Sequence, residues 1–316
     1  MSTSWGASMR AALVATLAHP EWWAMALAAF LVRGGILVVI LPLVTLPTPA
    51  SLITTFAPPL EALILGSPSV GGIVLGALGV SVVLAALTLL ALAGSWFELA
   101  LVREAATDDE LDLGWVARRV SAVAALGLRL AAHLPTLVAL AYAFARLAFA
   151  TRDELLSPGD PSVALAARVL LRAPDAVVLV VVVWLVGETV GGLAARRRAA
   201  GAGSRAALLG AVRRVFDRRG LPTLLLTTAV LLGLAIPFGI AVGRAWGHVI
   251  AALSQDFSPV QIGAALLLLV ATWVLGLALL GVALAWRATA WTVLAAPALP
   301  SDAQAVPAPT PEAAPG

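Results

Sequence analysis

The sequence predicts an all-α integral membrane protein built as a bundle of six transmembrane helices. Three observations carry that prediction. Apolar residues make up 61% of the 316 residues and charged residues only 12%, with a mean hydropathy of +1.00. A soluble domain holds about 45–50% apolar and about 25% charged residues. Six stretches approach the roughly 20 apolar residues needed to cross about 30 Å of hydrocarbon. Finally, arginines crowd into alternate connections between those stretches.

The chain opens with a stripe of Trp5, Met9, Leu13 and Leu17, a pattern for a helix lying on the inner surface. The first expected span, residues 22–46, follows His19-Pro20-Glu21-Trp22 and is interrupted only by Arg33. Residues 51–65 are apolar and proline-bounded, and are expected to rest on or re-enter the membrane edge. The second span, 70–98, is uncharged until Glu98. After it, Thr107 and Glu110 form a capping-box pattern with Asp108, Asp109 and Asp112 in the first turns of a further surface helix. The third span, 134–151, is short and carries Arg146; residues 161–172 read as a short helix on the outer surface.

The fourth span, 176–195, contains Glu188. Ser204 is placed to cap a helix on which Leu208, Leu209, Val212, Val215 and Phe216 share one face and Arg213, Arg214 and Arg218 the other. The fifth and sixth spans, 221–243 and 262–286, are uncharged. Pro42 and Pro237 fall inside spans and are expected to kink them. Residues 1–296 thus form one transmembrane domain. The tail, 297–316, is rich in proline and alanine and is expected to be disordered and cytoplasmic.

Orientation follows from the arginines, since short cytoplasmic loops carry the excess of positive charge. One side holds fourteen: Arg10, Arg103, Arg118, Arg119, Arg129, Arg196, Arg197, Arg198, Arg205, Arg213, Arg214, Arg218, Arg219 and Arg287. The other side holds four: Arg152, Arg168, Arg172 and Arg244. Both termini are therefore expected in the cytoplasm, with the protein in the cytoplasmic membrane. Trp22, Trp23, Trp96, Trp246 and Trp286 fall at span ends, where an aromatic belt would place them.

An internal repeat is suggested by Leu134-Pro135-Thr136-Leu137 and Leu221-Pro222-Thr223-Leu224, with His19-Pro20-Glu21-Trp22 a looser third copy. Each proline opens an odd-numbered span, where a first-turn proline loses no hydrogen bond. The implied unit is a surface helix followed by a helical hairpin, used three times.

Charges inside spans are the candidate functional residues, because burying one in the hydrocarbon costs about 2.5–3.5 kcal/mol even on insertion scales. There are four: Arg33, Glu98, Arg146 and Glu188. The first two hairpins each offer one arginine and one glutamate. Such pairs serve either as structural ion pairs or as a site for an ion, a proton or an anionic substrate. A second candidate is the basic band Arg196, Arg197, Arg198, Arg213, Arg214 and Arg218, which suits contact with anionic lipid headgroups at about 1 kcal/mol each or serves topology alone. The pairs Gly72/Gly76, Gly187/Gly191 and Gly239/Gly243 have the spacing that lets helix backbones approach closely.

Enzyme chemistry is disfavoured. There is no cysteine and no lysine, which removes thiolate, Schiff-base and P-loop mechanisms. No HExxH or GxSxG string occurs, and His19, His133 and His248 are far apart. No cofactor, no metal and no nucleic-acid partner is expected. Partners are expected to be membrane lipids and other membrane proteins.

Val186-Gly187-Glu188, the polar turn at 199–204, the helix at 206–215 and the terminal Ala285-Trp286-Arg287 together resemble a layout of six-helix bacterial membrane proteins. These are the YciC-like proteins and the membrane domain of glycerophosphodiester phosphodiesterases. The resemblance spans most of residues 1–296 as architecture; it implies the fold and leaves activity open, because no residues remain to encode a phosphodiesterase domain. The expected function is a non-enzymatic scaffold or partner subunit for membrane or lipid assemblies. The alternative is a small-solute or proton-coupled transporter working through the Arg and Glu charges.

Overall fold

The computed structural model describes residues 4–43, 70–109, 111, 113, 115, 117–157, 159–160, 163, 165–254 and 258–295. Among them, all regular structure is helical. Helix α1 spans Trp5–Ala18, α2 Pro20–Phe30 and α3 Ile36–Ile40, with a π-helical turn at Leu31–Gly35 between the last two. The long α4 follows at Val70–Thr107, then α5 at Ala122–Ala132, α6 at Leu134–Leu156 and α7 at Leu165–Arg172. Helices α8 (Pro174–Ala199), α9 (Ser204–Val215), α10 (Gly220–Ser254) and α11 (Pro259–Ala295) complete the described fold.

Among the described residues, five helices are long and apolar enough to cross a membrane: α4, α6, α8, α10 and α11. The first expected span is not among them. Its helix stops at Phe30, and Arg33 and Gly34 leave helical geometry, Gly34 with φ +101°, which only glycine adopts without strain. The Gly34-Gly35 pair is the local cause. Residues 44–46 of that span lie outside the described residues, as do the segment 51–65, Glu110 and Asp112, and the tail 297–316. The shortest expected span, 134–151, is a 23-residue helix that continues to Leu156.

Helices α4, α10 and α11 have 38, 35 and 37 residues. At 1.5 Å per residue each is about 50–57 Å long, far more than the roughly 30 Å of hydrocarbon. Burial shows where the excess goes. Helix α4 is exposed on all sides over residues 70–90, and its buried residues start at Gly94. Helix α8 buries nearly every residue from Gly187 to Arg196, and α11 buries residues from Gly276 to Ala295. Apart from a smaller core of Ala143, Ala150, Val169, Ala173 and Ala176 that packs α7 against α6 and α8, the main core therefore sits at one end of the bundle, the end that carries α1, α5 and α9. Met9 and Ala12 of α1, Leu128 of α5, Leu193 of α8, Ala211 and Val215 of α9, and Trp286 and Trp291 of α11 all meet there. The other halves show Val, Leu and Ile outward, the side chains that acyl chains solvate.

The surface helices dock through small residues. Helix α1 is capped by Ser4, whose Oγ accepts from the Ala7 amide at 3.3 Å. It buries Met9, Ala12, Ala15 and Thr16 and leaves Leu13 and Leu17 outward. Trp5 Nε1 donates to Thr223 Oγ1 at 2.9 Å and ties α1 to α10. In α9 the buried face is Ala207, Ala211 and Val215, while Leu209, Val212 and Phe216 point away from the core. Alanine permits close approach to the core, and most of the larger side chains of the expected apolar stripe are left outward.

Other expectations are corrected. Thr107 does not cap a helix; it is the last residue of α4, and α5 is capped instead by Ser121, whose Oγ accepts from the Ala124 amide at 3.2 Å. The residue capping α9 is Gly203, with no side-chain bond, and not Ser204. Trp22 and Trp286 are core residues rather than parts of an interfacial belt. The short outer helix is present as α7. It is held by a residue the sequence did not single out: Glu154, fully buried, pairs with Arg168 Nε at 2.6 Å and Arg172 Nε at 2.7 Å, and accepts from the Gly159 amide at 2.7 Å.

Candidate functional site

At the packed end, four helical segments and the α5–α6 junction bring their charges to one place. The π-turn projects Arg33 toward α4, and its Nη1 lies 3.3 Å from Glu98 Oε2 and 3.0 Å from Glu188 Oε1. Its Nε donates to the Ala29 carbonyl at 2.8 Å, so the stem is fixed as well as the head. Near the end of α5, Arg129 donates from Nη1 to Glu188 Oε1 at 2.5 Å and from Nη2 to Glu98 Oε2. From the last turns of α8, Arg196 Nη1 donates to Glu98 Oε1 and to the Gly192 carbonyl, at 2.7 and 2.9 Å. His133, between α5 and α6, places Nε2 3.3 Å from Glu188 Oε2.

Glycines make the room. A Cβ on Gly192 would lie 3.0 Å from Arg196 Nη1, 3.1 Å from Glu98 Oε1 and 3.3 Å from Arg129 Nη2. One on Gly191 would meet the Arg129 Cα at 3.0 Å, and one on Gly187 the His133 ring at 2.7 Å. Gly94 does the same for the Arg33 stem. Thus the Gly187/Gly191 spacing seats α5 against α8, and the close approach is what lets short bonds form.

The network is deep but not sealed. The side chains of Glu98, Arg129 and Arg196 are buried, whereas Glu188 is 31% exposed and Arg33 and His133 about a fifth to a quarter. Each Glu98 oxygen is bonded by a guanidinium. Burial of such charges is tolerable only with this degree of pairing, since an isolated buried ion costs several kcal/mol. A groove of about 510 Å³ lies elsewhere, lined by Pro237, Ile240, Ala241, Arg244, His248 and Leu268 among others, and no network residue borders it. Among the described residues, no group of three or more His, Asp or Glu could hold a metal ion.

Three of the four expected intramembrane charges, Arg33, Glu98 and Glu188, meet in this network. Arg146 does not. It pairs with Asp175 at 3.3 Å, and Tyr142 donates to the same carboxylate at 2.7 Å. The reason is register. Helices α6 and α8 run antiparallel, and Arg146 lies thirteen residues beyond His133 as Asp175 lies thirteen before Glu188. That offset is about 20 Å at helical rise, too far for Arg146 to reach Glu188.

Arg129, His133 and Arg196 were not anticipated as network members. Their signals are periodic: Glu188, Gly192 and Arg196 fall on one stripe of α8, and Arg129 and His133 are four apart. Arg196 thereby leaves the expected lipid-contacting band, because it is buried rather than presented to headgroups. Arg213 and Arg218 are exposed, and Arg197 and Arg198 are half-buried. Arg214 turns inward, donating to the Leu294 carbonyl at 3.1 Å and to Asp217 at 2.7 Å. Burial opposes ionisation of Asp217, yet amide bonds from Gly220 and Arg219 together with Arg214 hold its carboxyl below the ordinary range.

No family model matches the chain, and comparison with curated proteins and with solved structures finds no match. Fold and site nevertheless define a class: among the described residues, regular structure that is all helical, five helices fit to cross a membrane and a charge network gathered at one end. Helices of that kind are the mark of a multi-pass membrane protein.

Proposed function

We propose that the protein is a non-enzymatic component of the cytoplasmic membrane, a scaffold or partner subunit for membrane or lipid assemblies. The observation behind this reading is the mutual pairing of Arg33, Glu98, Arg129, Glu188 and Arg196 in a packed core, where each carboxylate is held by at least two guanidiniums. A carboxylate that carries a solute or proton needs an unoccupied face and a path; both carboxylates here are held by guanidiniums. The threading follows from fourteen arginines against four, with both termini cytoplasmic and residues 22–46 completing a sixth crossing. Pairs α1/α2, α5/α6 and α9/α10 are then three copies of a surface helix feeding the helix that opens a span, the unit the repeated Pro strings suggest. The outward Leu13, Leu17, Leu209, Val212 and Phe216, flanked by Arg10, Arg213 and Arg218, suit an inner leaflet with anionic headgroups.

A transporter is the second reading, favoured by the partly exposed Glu188, Arg33 and His133. Purification in mild detergent and reconstitution separate the two. The scaffold reading expects a stoichiometric partner to co-purify and no pH-dependent flux in vesicles of the pure protein. A flux that Glu188→Gln abolishes while the protein folds normally would establish the transporter.

A further inference from the structure

Charge at the packed end does not balance. Among the described residues, Arg33, Arg129 and Arg196 pair with the carboxylates of Glu98 and Glu188 alone, and Arg287 stands within electrostatic reach of the same carboxylates without pairing to either. Four guanidiniums against two carboxylates leave two positive charges in excess. Among the described residues, Arg287 bonds only the Thr189 hydroxyl, through Nη2 at 3.1 Å. Arg196 reciprocates from the other helix, its Nε donating to Thr292 Oγ1 at 3.1 Å. The α8–α11 contact is therefore laced by two Arg-to-Thr bonds running in opposite directions. Both hydroxyls already donate to carbonyls of their own helices, Thr189 to Leu185 and Thr292 to Ala288. That leaves Arg287 Nε and Nη1 and Arg196 Nη2 as donors with no acceptor among the described residues. Arg129 Nε is also buried without a partner.

We propose that this excess binds a phosphate-bearing anion at the α8–α11 contact, through Arg287 and Arg196. Two guanidiniums offer the planar, forked donor geometry that phosphate oxygens accept in pairs. An anion there neutralises the surplus and makes the network complete, so the ligand is a structural member of the lock. The inference rests on the reading of the network as structural. Its ligand chemistry fits a free phosphate ion or the headgroup of an anionic phospholipid.

The test is thermal unfolding of the purified full-length protein, titrated separately with inorganic phosphate, short-chain phosphatidylglycerol and short-chain phosphatidylcholine. Wild type and the variant Arg152→Gln, an exposed arginine outside the basic band, should gain stability with an anion at the same half-saturating concentration. Arg287→Gln should need about ten- to hundredfold more, with Arg287→Lys in between. A response to phosphatidylglycerol alone assigns the lipid headgroup, and a response to phosphate as well assigns the free ion. Equal responses in wild type and Arg287→Gln, an equal effect of phosphatidylcholine, or no response in wild type overturns the proposal. Should Arg287→Gln fail to fold, native mass spectrometry of the wild type decides, because retention of no phosphate or anionic lipid is then the overturning result. Glu98→Gln without added anion reports on the structural reading independently.

Discussion

Arg196 Nη1 lies 2.7 Å from Glu98 Oε1, joining the final turns of α8 to a point three-quarters of the way along α4. The pair closes a circuit in which Glu98 is bonded from three helical segments, by Arg33, Arg129 and Arg196. The carboxylate is the hub, and its loss strands three cations at once. Glu98→Gln is therefore expected to destabilise the protein by about 3–5 kcal/mol, the range for breaking a buried pair from one side. Glu98→Asp, which keeps the charge, should recover part of the loss. Chemical unfolding in detergent measures both.

Space around the hub is as important as charge. Gly192→Ala puts a methyl 3.0–3.3 Å from Arg196, Glu98 and Arg129 atoms, and is expected to cost about 1–3 kcal/mol by overpacking. Gly76→Ala, on the open part of α4 where nothing lies within 4 Å, should be neutral. Comparing the two unfolding midpoints checks that the effect is local to the network.

The α9–α10 turn has a stricter requirement. A Cβ on Gly220 would stand 1.8 Å from the Arg214 carbonyl oxygen, a backbone atom that cannot swing aside. Gly220→Ala should destabilise by about 3 kcal/mol or more, visible as lost yield or a lowered midpoint.

His19 gives a pH signature. It joins α1 to α2 and bonds Glu21 through Nδ1 at 2.7 Å and Asp108 through Nε2 at 2.9 Å. Glu21 first, aided by Asp108 and against some desolvation, raises the imidazole pKa above its ordinary value. A raised folded value means the stabilisation is complete below about pH 6.5, the unfolded value, and is lost as pH rises through the folded one. The site is partly exposed, so the effect should stay under about 1 kcal/mol. His19→Gln should flatten the pH dependence of stability over this range.

Much of this architecture was legible in the sequence because hydrophobic length and helix-starting prolines are local properties. The long helices α4, α8, α10 and α11 and the surface helices α1 and α9 were readable for that reason. Breaks such as Arg33-Gly34 are not, since a glycine pair inside an apolar run is compatible with a straight helix until the backbone is seen. The site was half legible. Rarity in an apolar setting marks Arg33, Glu98 and Glu188, but Arg196 hides in a run of three arginines and Arg129 in a short surface-type helix. Their partners are chosen by helix register, which also sends Arg146 to Asp175. Glu154 escaped notice because a carboxylate near a span end looks solvated until α7 folds over it.

A double-mutant cycle on Glu98→Gln and Arg196→Gln tests the central claim that the network holds the helices together. Stabilities of wild type, both single variants and the double variant give the coupling energy. The expected coupling is about 1–3 kcal/mol, with the double variant less destabilised than the sum of the singles. A coupling indistinguishable from zero, with each variant close to wild type in stability, would contradict it.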